Sequence, residues 1–261
     1  MRTVRAIRYV LPFREGGSVP ALVEADDDGL YVVKLRGSAQ GDKALIAELV
    51  AGELARAAGL AVPELALVEL DATLGEAEPD PEISHVLDGS VGQNLGLDYL
   101  PGSITFDPAV RPAPDPLVAS QIVLFDSFVT NVDRTPKNPN LLVWHKRLWL
   151  IDHGASLYVH HGWSPADPLE GSRDPFAFVS QHVLLPWASA LSAAAEVLSR
   201  AITPGVIAGV IAQIPSAWLG GRDSFADEQA RRAAYVAWLG DRLAAWPIIV
   251  EEAERARASR I

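Results

Sequence analysis

Cysteine is absent from the 261-residue chain. That excludes disulfide staples, thiolate nucleophiles and thiolate-ligated metal centres. Basic residues are outnumbered: 22 Lys and Arg stand against 33 Asp and Glu, a formal net charge of -11. Such a surplus repels phosphate backbones and anionic headgroups, which argues against a nucleic-acid or membrane-surface partner. Long apolar runs are missing too, and none reaches the roughly 18 residues of a membrane-spanning helix. The start, MRTVRAIRYVLPFREGG, has no basic segment followed by an apolar stretch, so it does not read as a secretory signal. The expectation is a soluble, cytoplasmic protein.

What is present suffices for a sizeable core: 49% of the residues are hydrophobic and 21% are charged. AIRYVLPF, ALVEAD and LYVVKLRG are short runs rich in β-branched and aromatic residues, split by the turn-forming clusters EGGSVP and DDDG. DKALIAELVAGELARAAG then carries apolar residues at helical spacing and ends at Gly59, a suitable C-terminal cap. PELALVEL and GLDYLPG read as strands, with an acidic, proline-containing loop, DATLGEAEPDPE, between them. PLVASQIVLFDSFVTN reads as an apolar helix, and LLVW-HKR-LWLID as a β-hairpin. QHVLLPWASALSAAAEVLSRA, PGVIAGVIAQI and the stretch from Glu228 onward all suggest helices. The predicted organisation is a small β-rich N-terminal lobe over residues 1–100 and a helical C-terminal lobe over 101–261 that carries one hairpin.

The chemistry-bearing residues fall in an order that suits phosphoryl transfer from ATP. That reaction needs a lysine on the phosphates, hard oxygen ligands for magnesium, a carboxylate to orient the attacking hydroxyl and a mobile glycine turn. Lys34 lies in the strand YVVKL among apolar neighbours, where a buried charge needs an anion. Glu48 follows in the first helix. Asp133, Asn138 and Asp152 come later, and a hairpin between Asn140 and Asp152 folds the second aspartate back toward the first. Each element also has a plain structural reading. Asp133 with Asn138 can form an Asx-type turn, Lys34 can reach solvent from a sheet edge, and Gly16–Gly17 can simply turn the chain. His153, His160 and His161 lack a carboxylate at a spacing suited to a zinc site.

The run NVDRTPKNPNLLV…LWLIDHG resembles the catalytic and metal-binding loops of the protein-kinase-like superfold, and of the HipA-like kinases in particular. The resemblance extends over most of residues 1–160, with EGGSVP as phosphate loop, YVVKL as lysine strand and LDYLPG as hinge. It implies an α+β, two-lobed protein-kinase-like fold. It implies ATP as cofactor, with Lys34 on the phosphates, Glu48 (rather than Glu53) paired to Lys34, and Gly16, Gly17 and Ser18 over the phosphates. The hinge backbone at Asp98, Tyr99 and Leu100 would meet the adenine. Asp133 would orient the acceptor hydroxyl, and Asn138 and Asp152 would ligate Mg2+. Asn140 competes with Asn138, because many kinases place their metal-binding asparagine directly before such a strand. Some HipA-like kinases phosphorylate a serine of their own phosphate loop, which singles out Ser18. The family's arginine before the catalytic aspartate is Val132 here, and the Asp-Phe-Gly motif reads Asp152-His153-Gly154.

The implied activity is transfer of the γ-phosphate to a hydroxyl, by family analogy a protein Ser or Thr, with a small-molecule hydroxyl as the near alternative. A pseudokinase module that binds nucleotide or a partner without transfer is a second class. A helical scaffold that binds no nucleotide is a third. No nucleic acid or membrane is expected as partner, and the acceptor is not legible in the sequence.

Overall fold

A computed structural model describes residues 1–13, 20–76, 79–109, 111–220 and 225–260. Gly16, Gly17 and Ser18 lie outside the described residues. The N-terminal part is built from β1 (Arg2–Pro12), β2 (Ala21–Ala25), β3 (Leu30–Lys34), helix α1 (Gly41–Ala57), β4 (Leu65–Leu70), α2 (Thr73–Glu76), α3 (Pro81–Asp88) and β5 (Gly92–Asp98). The five strands close on themselves in the order β1-β2-β3-β5-β4. Every neighbouring pair is antiparallel except β1 with β4, which runs parallel from Arg2–Ala66 to Arg5–Glu69. Alternation sets the interior: Val4, Ala6, Val23, Tyr31, Val33 and Val68 point inward and are buried.

Gly96 sits where strands approach closely. A Cβ there would meet Val68 Cγ2 at 2.6 Å and Tyr31 Cβ at 3.2 Å. Helix α1 is buried nearly all round, with Leu45, Ile46, Leu49, Val50 and Leu54 at 2% exposure or less. It is wedged between β4 and β5 on one side and C-terminal helices on the other. It stops as its sequence predicts: Gly59 takes φ +81°, and the Leu60 N–H returns to the Ala55 carbonyl at 3.0 Å.

The rest comprises β6 (Ile104–Thr105), α4 (Pro116–Phe128), the hairpin β7 (Leu141–Trp144) and β8 (Arg147–Leu150), three short 3-10 turns, and helices α5 (Leu191–Ala201), α6 (Pro204–Ile211), α7 (Ser216–Leu219), α8 (Glu228–Ala244) and α9 (Trp246–Ala258). β6 adds a third strand to the hairpin through Ile104–Val143 and Thr105–Leu142. Buried residues of α1, α4, α5, α6, α8 and α9 belong to one continuous apolar core. Among the described residues, no single helix is long and apolar enough to cross a membrane.

Three sequence expectations need correction. DATLGEAEPDPE is not wholly a loop: Asp80 accepts the Glu82 N–H at 3.1 Å and Pro81 fills the first helical position, so α3 starts there. The helix expected over QHVLLPWASALSAAAEVLSRA begins only at Leu191, after 3-10 turns around Pro186. The stretch from Glu228 is two helices, because Pro247 cannot continue α8 and instead opens α9.

Gly96→Ala is expected to destabilise the protein by about 1–3 kcal/mol, the usual cost of overpacking a stiff, buried contact. Urea unfolding checks this, and an unchanged midpoint would contradict the close approach at Gly96.

Candidate active site

Lys34 is the last residue of β3. Tyr31, Val33 and Leu35 face the barrel core, so alternation turns Lys34 to the other side, toward α1. Its side chain is 12% exposed, and its Nζ lies 2.5 Å from Asp152 Oδ1 and 3.3 Å from Glu48 Oε2. Burial alone would lower the lysine's pKa; Glu48 and Asp152 outweigh it and push it up to about 12. Burial works the opposite way on Glu48, which is 1% exposed; there Lys34 and then His153 prevail and hold the carboxyl below its ordinary value. The His153 ring closes the circuit, with Nδ1 3.4 Å from Glu48 Oε1. Two consecutive residues, Asp152 and His153, therefore hold both members of the Lys34–Glu48 pair. Glu53, the other glutamate on α1, instead faces Arg56 at 3.5 Å.

The loop between α4 and β7 carries Asp133. It is pinned from below by a polar cluster the sequence reading missed. Asp126 on α4 and Arg134 are both fully buried, and Arg134 Nε donates to Asp126 Oδ2 at 2.5 Å. His182 Nε2 donates to the same oxygen at 2.9 Å, while its Nδ1 accepts the Leu184 N–H at 3.0 Å, the pattern of a neutral imidazole. Asn131 Nδ2 reaches Asp126 Oδ1 at 3.1 Å. Burial would raise the Asp126 pKa, but Arg134 and His182 hold it well below the carboxylate range.

Arg134 Nη2 donates to the other Asp126 oxygen, Oδ1, at 3.4 Å. Nη1 turns toward the hairpin base and donates to the Asn140 carbonyl and, at 3.3 Å, to the Ile151 carbonyl. Ile151 N–H in turn donates to the Asn140 carbonyl at 3.1 Å. One guanidinium thus sits beside Asp133 in sequence and bonds the backbone next to Asp152. Only its neighbour in the chain, the Asp-Arg dipeptide, hints at this; its partner Asp126 looks like a stray acid in an apolar helix.

Asp133 itself receives Asn138 Nδ2 at 2.7 Å and Asn140 Nδ2 at 3.2 Å on one carboxylate oxygen, Oδ2. Its N–H donates to Asn131 Oδ1 at 3.1 Å. Asn140 (φ +49°) and Asp152 (φ +54°) both adopt left-handed backbone, which asparagine and aspartate tolerate better than other side-chain-bearing residues. Val132 packs against the apolar core and holds no polar role.

At the expected hinge, the Asp98 N–H donates to the Glu64 carbonyl and the Tyr99 N–H to the Leu30 carbonyl. The Leu100 N–H has no hydrogen-bond partner among the described residues. A crevice beside Lys34 and Glu48 is lined by Ser38, Gly41, Ala44 and Gly154. His160 is buried, hydrogen-bonded at Nδ1 to the Tyr235 hydroxyl at 3.0 Å. No group of three or more His, Asp or Glu side chains converges on a metal site among the described residues. Asp152 offers carboxylate oxygens and the asparagines of the Asp133 loop offer amide oxygens, both of the hard donor type that magnesium takes.

Comparisons with known proteins give a family and a fold. A family model described as HipA-like kinase matches residues 7–237. No curated protein matches the chain. Among solved structures, the chain is similar in fold to a Helicobacter pylori proinflammatory kinase, CtkA, at TM-score 0.58 and 12% identity, covering 99% of each chain.

Breaking the buried pair leaves an uncompensated charge. Arg134→Leu or Asp126→Asn is expected to cost about 3–5 kcal/mol in urea unfolding at neutral pH. Because the folded-state pKa of Asp126 is depressed, its contribution is complete above the unfolded value, near 3.8, and is lost as pH falls below it. The deficit of Asp126→Asn relative to the parent should therefore shrink below about pH 4. A deficit that is absent at neutral pH, or that grows on acidification, would contradict the ion pair.

Proposed function

This chain belongs to the HipA-like kinase family, and from that premise we propose that it transfers the γ-phosphoryl group of ATP to a hydroxyl. The observation that carries the reading is the lysine held between two carboxylates: Lys34 Nζ meets Asp152 Oδ1 at 2.5 Å and Glu48 Oε2 at 3.3 Å. A fully charged ammonium, fixed at a crevice rather than in the core, is the group that would receive phosphate oxygens. Glu48 keeps it extended, and His153 keeps Glu48 in place.

In this reading ATP lies between the β-rich and helical parts of the chain. Its adenine lies against the Asp98–Leu100 backbone, where Leu100 retains a donor. Asp152 and a loop asparagine would hold Mg2+; Asn138 has the family spacing and Asn140 is its competitor. When bound, the ion neutralises charge on the transferring phosphoryl group. Asp133, with Oδ2 occupied by two amides, presents its other oxygen to the acceptor hydroxyl and orients that proton. The acceptor is a Ser or Thr of a protein by family analogy, and a small-molecule hydroxyl is the alternative. The family resemblance assigns Gly16, Gly17 and Ser18 to a phosphate loop, and modification of Ser18 would add negative charge to that loop.

The test is transfer or hydrolysis of γ-labelled ATP. Asp133→Ala is expected to lower kcat about 10²–10⁴-fold, and Lys34→Met about 10²–10³-fold, with folding checked by circular dichroism. Nucleotide binding with turnover no higher than in these variants would contradict the reading and favour a binding module without transfer.

A further inference from the structure

Lys34 is followed two residues later by a second cation, and the same helix answers both. Arg36 Nε meets Asp42 Oδ1 at 2.7 Å, as Lys34 Nζ meets Glu48 Oε2 at 3.3 Å. Asp42 lies in the first turn of α1, and Glu48 follows about 9 Å further along the helix axis. The exit of β3 is thus joined to α1 by two rungs, an inner one in the crevice and an outer one where the helix begins. The outer rung is part-exposed, with side chains 33% and 27% accessible, so it adds little to stability. Its importance is geometric.

The backbone between the rungs is fixed as well. The Arg36 N–H donates to Oδ1 of Asn94, a buried residue of β5, at 2.8 Å. Asn94 Nδ2 donates to the Ser90 and Gly92 carbonyls at 2.6 and 3.0 Å, and the Gly37 N–H donates to Ser90 Oγ at 2.9 Å. The helical part of the chain closes the other side. Arg36 Nη2 donates to the Ala217 carbonyl of α7 at 3.2 Å. The next residue, Trp218, is fully buried and donates from Nε1 to the Gln93 carbonyl of β5 at 3.1 Å. α7 is itself held by α8, whose Arg231 Nη1 donates to the Leu219 carbonyl at 3.0 Å. Arg36 therefore meets β5, α1 and α7 at once, two residues from Lys34.

We infer that Arg36 is a positioning residue for Lys34: by clasping Asp42 and bonding α7, it sets where α1 begins against β3 and so holds Glu48 at the lysine. This deepens the phosphotransfer reading and rests on it. Without the outer rung the first turn of α1 is free to lift from the exit of β3. A helix moves as a rigid rod over so short a length, so Glu48 shifts with it, and Lys34 keeps Asp152 alone.

Two measurements on the full chain separate positioning from simple support. One is kcat for γ-labelled ATP at saturating nucleotide and magnesium. The other is the rate at which an amine-reactive ester acylates Lys34 without nucleotide, read by peptide mapping, because a lysine released from Glu48 is more accessible. Circular dichroism and thermal unfolding check the fold.

Arg36→Ala should lower kcat about tenfold, less than the roughly hundredfold cost of a misplacement of about 1 Å. It should also speed acylation of Lys34 several-fold. In a Glu48→Gln background the same change should cost less than about twofold, because residues that act through one another are not additive. A kcat within about twofold of the parent, an unchanged acylation rate, or an equal loss in the Glu48→Gln background overturns the inference and leaves the phosphotransfer reading standing. If the parent turns over no ATP, that reading fails, and acylation alone decides the clasp: a faster rate in Arg36→Ala supports it and an unchanged rate overturns it. Should Arg36→Ala fail to fold, Asp42→Asn is measured in the same way, with the same outcomes.

Discussion

The fully buried Arg134–Asp126 pair supports most of what surrounds it. A guanidinium in an apolar interior is costly to desolvate, and only a geometry that meets several of its donors at once makes it tolerable. Here Asp126 meets Nε, while the Asn140 and Ile151 carbonyls meet a terminal nitrogen. The consequence is mechanical. Helix α4, the Asp133 loop and the end of the β7–β8 hairpin are referred to one rigid group. Each carries or adjoins a side chain proposed for chemistry.

A second polar circuit rests on that frame. Lys34 comes from the barrel and Glu48 from α1, while Asp152 and His153 come from beyond the hairpin; they join in a ring through contacts of 2.5, 3.3 and 3.4 Å. Buried carboxylate and buried ammonium each raise the cost of removing the other, so the ring favours one arrangement of α1 against β3. Where the family resemblance implies the phenylalanine of an Asp-Phe-Gly motif, His153 makes a polar contact with the helix glutamate. The helix position is therefore held by a directional contact as well as by packing.

Much of this was legible in residue order. Alternation marked the barrel strands, helical spacing with Gly59 marked α1, and the matched runs LLVW and LWLI marked the hairpin. Lys34 and Glu48 could be paired because a charged residue in an apolar strand needs a counter-charge. The pieces that escaped depend on contacts between distant positions. Asp126, Arg134 and His182 meet only after α4 ends and the chain returns from 56 residues away. No local pattern distinguishes Asp126 from an exposed helix acid. Helix α3 was obscured by acidic and proline content, although Asp80-Pro81 is a capping signal.

The central claim is that Asp133, Asp152 and Lys34 form one site for the triphosphate of ATP. A crystal structure with magnesium and a non-hydrolysable ATP analogue tests it most directly. The account predicts phosphate oxygens at Lys34 Nζ, the cation on Asp152 and the terminal phosphate facing Asp133. Nucleotide bound elsewhere, or Asp133 and Asp152 turned to separate regions with Lys34 remote from the phosphates, would contradict it.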